Sequence, residues 1–187
     1  MPFTSFLDYL NLEKNYSKHT LIAYHKDLLG FREFALSEFD FSEINNVSYA
    51  IIRSWIVKLV GDGVIVALGH TAAGTEIIRE AVKAGALLST HLGNGTSSEL
   101  QKNDNPIIAQ LGEDQLSASF IADGYHLSRE VLKVYLRAKC SERVILITDA
   151  TAGASAAPGR YWLGELELLL GSDPVIYDQQ TSRPLGS

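Results

Sequence analysis

The sequence predicts an α/β fold, in which short strands alternate with helices, preceded by a small helical module. Residues 1–60 carry apolar side chains at helical spacing, whereas β-rich runs alternate with amphipathic helices from Gly61-Asp62-Gly63 onward. The alternation of strands with helices is typical of parallel βαβ units. Several of the β-rich runs end in a histidine or an aspartate. The 187 residues suffice for one medium domain or two small ones.

The helical module contains three predicted helices. The first covers TSFLDYLNLEKN, the second covers SKHTLIAYHKDLLGFREFALSEF with Ser17 as its N-cap, and the third, SYAIIRSWIVKLV, opens on Ser48. Short polar turns join them. We therefore expect a helical domain at residues 1–60 and a second domain at residues 61–187.

In the second domain, strands and helices alternate. The predicted strands are VIVALG, ALLSTHL, SASFIADG and RVILITDA, and the predicted helices are TEIIREAVKAG, NPIIAQLGE and SREVLKVYLRAK. Gly85 is the predicted C-cap of the first of these helices and Ser128 the N-cap of the last. Beyond Arg160 the sequence predicts two or three short strands or extended turns.

The composition argues against several classes of protein. A net charge of −6 and a pI near 5.3 do not suit a strongly basic nucleic-acid binder. The single cysteine, Cys140, excludes an internal disulfide and fits a reducing compartment. The N-terminus lacks the pattern of a signal peptide, and no apolar run is long enough to cross a bilayer. We therefore expect a cytoplasmic protein.

Polar side chains follow the predicted strands at the points where they end. His70 follows VIVALG, His91 follows ALLST, Asp123 and His126 follow SASFIA, and Asp149 follows RVILIT. The two histidines His70 and His91 lie 21 residues apart, about one strand-helix-strand repeat, so they should end neighbouring strands. Two imidazoles there suit a divalent metal such as zinc, with Asp149 as general base toward an activated water. This hypothesis requires His70, His91 and Asp149 to converge.

Each of these residues also has a plain structural interpretation. A histidine at a strand end can be a hydrogen-bonded loop residue, and an aspartate there can cap the following helix. The glycines of GHTAAG and LGNG can be ordinary turn residues. From spacing alone, both interpretations stay open.

Six short segments of the sequence resemble a known family. ALGHTAAG, AGALLSTHLGNG, NPIIAQL, ASFIADGYHL, RAKCSERVILITDA and APGRYWLGELEL resemble, in this order and at the expected intervals, N-acetylglucosamine-6-phosphate deacetylases of the amidohydrolase superfamily. The resemblance runs from about Gly63 to the C-terminus. It implies a fold like the second half of a (β/α)8 TIM barrel, and metal-dependent removal of the acetyl group from N-acetylglucosamine 6-phosphate, with zinc as the expected ion.

The resemblance implies roles for individual residues near the scissile bond. His70 and His91 match the two metal-binding histidines of the family. Asp149 matches the catalytic aspartate that activates the water and then protonates the leaving amine. His126 matches a histidine that contacts the substrate near the scissile amide.

The resemblance also implies a phosphate-binding loop and shows departures from the family. Asn94 and Gly95 match the loop that holds the sugar phosphate, and Lys102 lies near a position where relatives carry an arginine, with the charge but not the bidentate fork. The family's early strands, one of which supplies a glutamate ligand to the metal, have no match in this chain. We therefore expect weak or absent turnover, and a homo-oligomer as one way to cover the faces of a half barrel.

Residues 1–60 resemble a different family. The pattern S-x-x-T-x-x-x-Y-x-x-D-L-x-x-F is similar to the N-terminal, core-binding helical domain of tyrosine recombinases of the phage-integrase type, which clamps DNA. The catalytic domain of those recombinases has no match here, and six basic against seven acidic residues give this segment a charge of −1, so only weak DNA binding is expected. The alternatives to a deacetylase are a DNA-binding module and a non-functional chimeric fusion.

Overall fold

The computed structural model describes residues 3–13, 18–43, 46–150, 156–163, 166–171, 176–177 and 184–186. The chain divides into two compact units, Met1–Trp55 with Ala152–Leu185, and Ile56–Thr151 with Gly186–Ser187. The predicted division between residues 60 and 61 rests on the change from helical spacing to alternating strands and helices, and it stays a prediction.

The first unit is mainly helical. Its elements are α1 (Thr4–Asp8), a π-helical turn (Tyr9–Glu13), α2 (Lys18–Phe39), the first part of α3 (Tyr49–Gly61), and the antiparallel strands β5 (Gly159–Leu163) and β6 (Leu166–Leu170). Two further short strands, β7 (Ile176–Tyr177) and β8 (Pro184–Gly186), follow along the chain. The three predicted helical segments are therefore confirmed, and the described tail contains four short strands where two or three strands or extended turns were predicted.

Aromatic packing joins α2 to α3 in this unit. The ring of Trp55 lies 5.7 Å from that of Phe31 and 5.0 Å from that of Phe34, between centroids, and Ala35 and Ile51 are buried. Such aromatic contacts add to the free energy gained by burying apolar surface. The apolar stripe predicted from helical spacing thus forms the core of the helical unit.

A serine precedes each of α2 and α3 in the sequence. The Ser48 hydroxyl, at which the third predicted helix opens, accepts a hydrogen bond from the backbone N–H of Ile51 at 3.4 Å and caps α3. Ser17, the predicted cap of α2, lies outside the described residues.

The second unit is built on a parallel sheet. Its elements are β1 (Ala67–Leu68), α4 (Thr75–Lys83), β2 (Leu88–Ser89), α5 (Pro106–Leu111), β3 (Ser117–Ile121), α6 (Arg129–Lys139), a 3-10 turn (Ser141–Arg143) and β4 (Val144–Ile147). The strands lie in the order β1-β2-β3-β4, and each neighbouring pair is parallel. A helix links each strand to the next, which is the predicted βαβ pattern.

The first two strands are shorter than the sequence predicts. Only Ala67–Leu68 of VIVALG pairs as strand, and Val64 and Ile65 are 48% and 71% exposed. Because β1 has a single neighbour in the described sheet, nothing covers the start of this run. The apolar run correctly located the strand but overestimated its length.

The core of this unit lies between the sheet and its helices. Phe120, Leu116 and Ile121 are among its most buried side chains. One cluster gathers around Phe120, with Leu92 and Leu127, and another joins Leu116 to the apolar face of α4. Strands buried on both faces explain why SASFI reads as a nearly continuous apolar run.

The helix ends of this unit follow the sequence signals. Ser128 accepts a hydrogen bond from the N–H of Val131 at 3.3 Å, and Asn105 accepts one from Ile108 at 2.8 Å. Gly85, with φ 109°, follows the end of α4 as predicted. A Cβ at Gly85 would lie 2.7 Å from Cγ2 of Val60, so the position also requires the absence of a side chain.

The mixed α/β class with a parallel sheet is confirmed. The described strands form a four-stranded sheet and do not close into a (β/α)8 barrel, so a barrel stays a prediction. Over the described part of the chain, no helix combines the length and apolar character needed to cross a membrane.

Candidate active site

The first feature of the site is a pair of histidines at the ends of neighbouring strands. His70 follows β1 and His91 follows β2, and their ring centroids lie 4.6 Å apart with an interplanar angle of 33°. The spacing argument predicted neighbouring strand ends, and the parallel register of β1 with β2 brings the two rings together.

Two glycines permit this close approach. A Cβ at Gly69 would lie 2.4 Å from Cγ2 of Thr90, at the end of the next strand. Gly95 has φ 65°, and a Cβ there would lie 2.6 Å from Cδ2 of the His70 ring. Neither position tolerates a side chain without movement, so the glycines of GHTAAG and LGNG do more here than form turns.

Backbone strain coincides with the ends of three strands. His70, His91 and Asp149 have φ values of 46°, 30° and 52°, and they follow β1, β2 and β4. Non-glycine residues in this region are uncommon, and such conformations cluster at functional sites. The strain therefore favours the functional interpretation of these three residues over that of ordinary loop residues.

Ser119 holds the backbone of His91, and sequence reasoning missed it. Its hydroxyl accepts a hydrogen bond from the N–H of His91 at 2.7 Å and donates one to the carbonyl of Ser89 at 3.3 Å. Ser119 is 4% exposed. The signal available was a polar residue inside the apolar run SASFI, which indicates a buried hydroxyl with a specific partner.

The histidine pair fits two ligand positions of a metal ion. Nδ1 of His91 is buried and has no hydrogen-bond partner among the described atoms, and a buried imidazole nitrogen left in this state suits a ligand. However, the described residues contain no group of three His, Cys, Asp or Glu that could hold a metal. The pair therefore supplies part of a ligand set, and the three or four protein ligands usual for zinc are not assembled there.

Asp149 does not join the histidine pair. Among the described residues, His70, His91 and Asp149 do not form the expected metal-holding group, and β3 lies between β2 and β4 in the sheet. Neighbouring strands lie about 4.8 Å apart, so two spacings separate the ends of β2 and β4. Asp149 instead lines a cavity of 790 Å³ together with Asp123, Thr148 and the ends of β3 and β4.

His126 pairs with Asp123 beside that cavity. Nδ1 of His126 lies 2.6 Å from Oδ2 of Asp123, and the two side chains are 5% and 10% exposed. Burial alone would raise the pKa of the Asp123 carboxyl, but hydrogen bonds from the His126 and Tyr125 N–H groups and from the His126 ring lower this pKa overall. The sequence predicts Asp123 at the strand end but indicates no role for it.

The residues predicted to bind phosphate lie on the loop after β2. The N–H of Asn94 donates to the carbonyl of His91 at 2.8 Å, which closes a tight turn, and Gly95 lies against the His70 ring. Lys102 is exposed, further along the same loop. Their part in phosphate binding stays a prediction.

Asp104 ties this loop to α4, which sequence reasoning missed. Its carboxylate accepts a hydrogen bond from the N–H of Thr75 at 2.6 Å, at the first turn of α4. Hydrogen bonds from the backbone and side chain of Thr75 lower the pKa of Asp104. The partner is 29 residues away, so local sequence patterns did not reveal it.

A parallel sheet with histidines and aspartates at the carboxyl ends of its strands defines a candidate enzyme site of the α/β class. Part of the chain is similar to deacetylases of amino-sugar 6-phosphates. The chain is 35% identical over 95 residues to an N-acetylgalactosamine-6-phosphate deacetylase of Shewanella sp. (strain ANA-3). The aligned segment covers 51% of this chain and 24% of the relative. It is 34% identical over 109 residues to the N-acetylglucosamine-6-phosphate deacetylase of Bacillus subtilis (strain 168), with 58% and 28% covered.

Solved structures give the same result. The N-acetylglucosamine-6-phosphate deacetylase of Mycobacterium smegmatis matches with a TM-score of 0.66 and 30% identity, over 72% of this chain and 35% of that one. The enzyme of Thermotoga maritima matches with a TM-score of 0.64 and 27% identity, over 72% and 36%. The chain thus spans about a quarter of the length of these curated relatives and about a third of the solved ones.

The N-terminal part matches a second family. Residues 3–74 match the model of the phage integrase N-terminal SAM-like domain. Both resemblances inferred from sequence strings are therefore confirmed, one for each part of the chain.

Proposed function

We propose that this chain carries a deacetylase-type site for an N-acetylated amino-sugar 6-phosphate, with N-acetylglucosamine 6-phosphate as the first candidate substrate. The observation that carries the proposal is the approach of His70 and His91, 4.6 Å apart at strained ends of neighbouring parallel strands. The similarity to both N-acetylglucosamine- and N-acetylgalactosamine-6-phosphate deacetylases supports the substrate class. The same similarity favours a fold that resembles part of a (β/α)8 barrel.

In this proposal the histidine pair holds a divalent metal ion, zinc first. When bound, the ion supplies Lewis-acid activation of water and of the amide carbonyl. His70 and His91 orient two of its ligand positions, and Ser119 fixes the backbone from which His91 projects.

Asp149 is the proposed acid–base residue, a role that requires bound metal and substrate to bring it within reach of the water at the histidine pair, because the three side chains form no metal-holding group among the described residues. Its carboxylate takes a proton from the attacking water as the new C–O bond forms at the acetamide carbon. It then gives that proton to the sugar nitrogen as the C–N bond breaks, so the products are acetate and the free amino-sugar phosphate. Asp149 lines the cavity at the ends of β3 and β4, where a substrate could reach it.

Three residues are proposed to bind the phosphate and one the acetamide. Asn94, Gly95 and Lys102 share the loop after β2, which can present backbone N–H groups and one cation to an anion. His126 would meet the substrate near the scissile amide. Because two histidines alone hold a metal poorly, we propose weak or absent turnover for this chain unless further ligands complete the set.

The first experiment measures zinc content and acetate release on the same purified sample. We expect zinc to bind at least about tenfold more weakly in His70→Ala and His91→Ala than in the unmodified chain. The matched control is His19→Ala, which removes an exposed histidine of α2. Equal zinc affinity in all four proteins would rule out the histidine pair as the ligand.

Residues 3–74 support a second candidate function, a DNA-interaction module. The family model that matches this segment carries the suggestion, while the net charge of −1 over residues 1–60 argues for weak binding. A salt-dependent mobility shift of duplex DNA would support it, and the absence of binding at low salt would exclude it. A hydrogen-exchange profile with no protected core would instead support a non-functional chimeric fusion.

A further inference from the structure

We propose that Asp123 is a positioning residue that keeps the proton of the neutral His126 imidazole on Nδ1 and thereby makes Nε2 a hydrogen-bond acceptor. The consequence for catalysis rests on the proposed deacetylase function. The position of the proton does not rest on that function, because it is argued from contacts within residues 123–126.

The contacts of Asp123 divide between its two oxygens. Oδ1 accepts hydrogen bonds from the N–H groups of Tyr125 at 2.9 Å and of His126 at 3.0 Å. Oδ2 lies 2.6 Å from Nδ1 of the His126 ring. Because two backbone donors hold Oδ1, the carboxylate cannot rotate without losing both, and Oδ2 stays directed at the ring.

The ionised state of Asp123 decides which partner donates. The hydrogen bonds to its oxygens outweigh the effect of burial and lower the pKa of this carboxyl, so it is ionised near neutral pH. An ionised carboxylate only accepts hydrogen bonds. Nδ1 of His126 must therefore carry the hydrogen, and in a neutral imidazole Nε2 then has none.

The same geometry predicts an inversion in Asp123→Asn. The two backbone N–H groups require an acceptor at the Oδ1 position, so the amide oxygen must lie there. The amide nitrogen then lies at the Oδ2 position and donates to Nδ1 of His126. The ring hydrogen must move to Nε2, which becomes a donor, while the turn over residues 123–126 keeps both of its backbone hydrogen bonds.

This assignment limits how His126 can meet a substrate. Nδ1 is engaged by Asp123, so only Nε2 can contact a ligand. In the neutral ring it accepts a hydrogen bond, which suits an amide N–H or a sugar hydroxyl rather than a carbonyl oxygen. In Asp123→Asn the preference reverses.

The test is long-range ¹H–¹⁵N correlation NMR of the histidine rings at about pH 9, where an ordinary imidazole is neutral. His126→Gln assigns the signals. We expect Nδ1 protonated and Nε2 bare in the unmodified chain, and the reverse in Asp123→Asn. Asp114→Asn, which removes an exposed carboxylate of the same unit, should leave the His126 signals unchanged.

Two results would overturn the proposal. One is a ring in the unmodified chain that keeps hydrogen on Nε2 at this pH, and this result needs no variant to fold. The other is an Asp123→Asn variant with retained backbone signals for Tyr125 and His126 and an unchanged ring. Adding N-acetylglucosamine 6-phosphate then tests the proposed function separately, because an unmoved Nε2 signal would refute substrate contact without affecting the assignment.

Discussion

The two ends of the parallel sheet differ in the polar side chains that they hold. At the carboxyl ends, His70, His91 and Asp149 have strained backbones, and a ring nitrogen of His91 is buried without a partner among the described atoms. At the amino ends, the buried ammonium of Lys139 donates to the carbonyls of Glu113 at 2.6 Å and of Leu116 at 2.7 Å. The proposed site lies at the carboxyl ends and the contacts of Lys139 at the amino ends, and such a division is common in βα folds.

A second contrast lies within the carboxyl ends. The pair at β1 and β2 consists of two imidazoles with no carboxylate in a metal-holding group, whereas at β3 the His126 ring is matched by Asp123. The pair of His70 and His91 therefore needs further ligands if it is to hold a metal ion. The His126 ring already has a carboxylate partner in Asp123. The predictions below test both contrasts, beginning with the largest expected effect.

Lys139→Ala should give the largest loss of stability. It removes the aliphatic stem and leaves two carbonyls without their charged donor, which should lower the free energy of unfolding by about 2–4 kcal/mol. Urea denaturation measures this loss. Lys139→Met keeps the stem, so the difference between the two variants separates packing from hydrogen bonding. No change in either variant would show that the amino end does not stabilise the unit.

The pH dependence of the same residue has a definite sign. Burial lowers the pKa of Lys139 below 10.5, and the nearby Arg143 acts in the same direction. The unfolded chain therefore binds more protons than the folded one between the lowered value and 10.5, so this residue makes stability rise with pH across that window. The rise should be missing in Lys139→Met, which denaturation at several pH values would measure.

Gly95→Ala should have the next largest effect, at the carboxyl end. A Cβ would collide with the His70 ring at 2.6 Å, and φ is 65°, so we expect a cost of about 1–3 kcal/mol and weaker zinc binding. Gly124→Ala is the matched control, because φ there is 81° but nothing lies within 4 Å of the added Cβ. Equal effects in both variants would mean that backbone strain alone matters and that contact with His70 does not.

The sequence predicted those parts of the fold and site that depend on local patterns. The helices, the cap at Ser128 and the alternation of strands with helices follow from periodicity and capping chemistry, and all are confirmed. The meeting of His70 with His91 also followed, because one βαβ repeat fixes which strands are neighbours. Sequence patterns reach this far because their partners lie within one repeat.

Other features could not be predicted because they depend on distances across the sheet. The strand that carries Asp149 is separated from that of His91 by β3, and sequence spacing contains no such lateral distance. The hydrogen bond of Ser119 to His91 joins residues 28 apart, and that of Asp104 to Thr75 joins residues 29 apart. Only the folded sheet brings these partners together.

Asp104 gives the smallest expected effect and the finest test of the carboxyl end. Hydrogen bonds from Thr75 lower its pKa below 3.8, so its contribution to stability is present above 3.8 and is lost as the pH falls through the lowered value. Asp104→Asn should keep the hydrogen bond to the Thr75 N–H, since asparagine caps helices as well as aspartate does, and should lose only this pH dependence. Asp104→Ala should lose both the hydrogen bond to Thr75 and the pH dependence, and it should speed hydrogen exchange in the loop that carries Asn94 and Lys102. Exchange in that loop at the original rate would show that the link to α4 does not hold it.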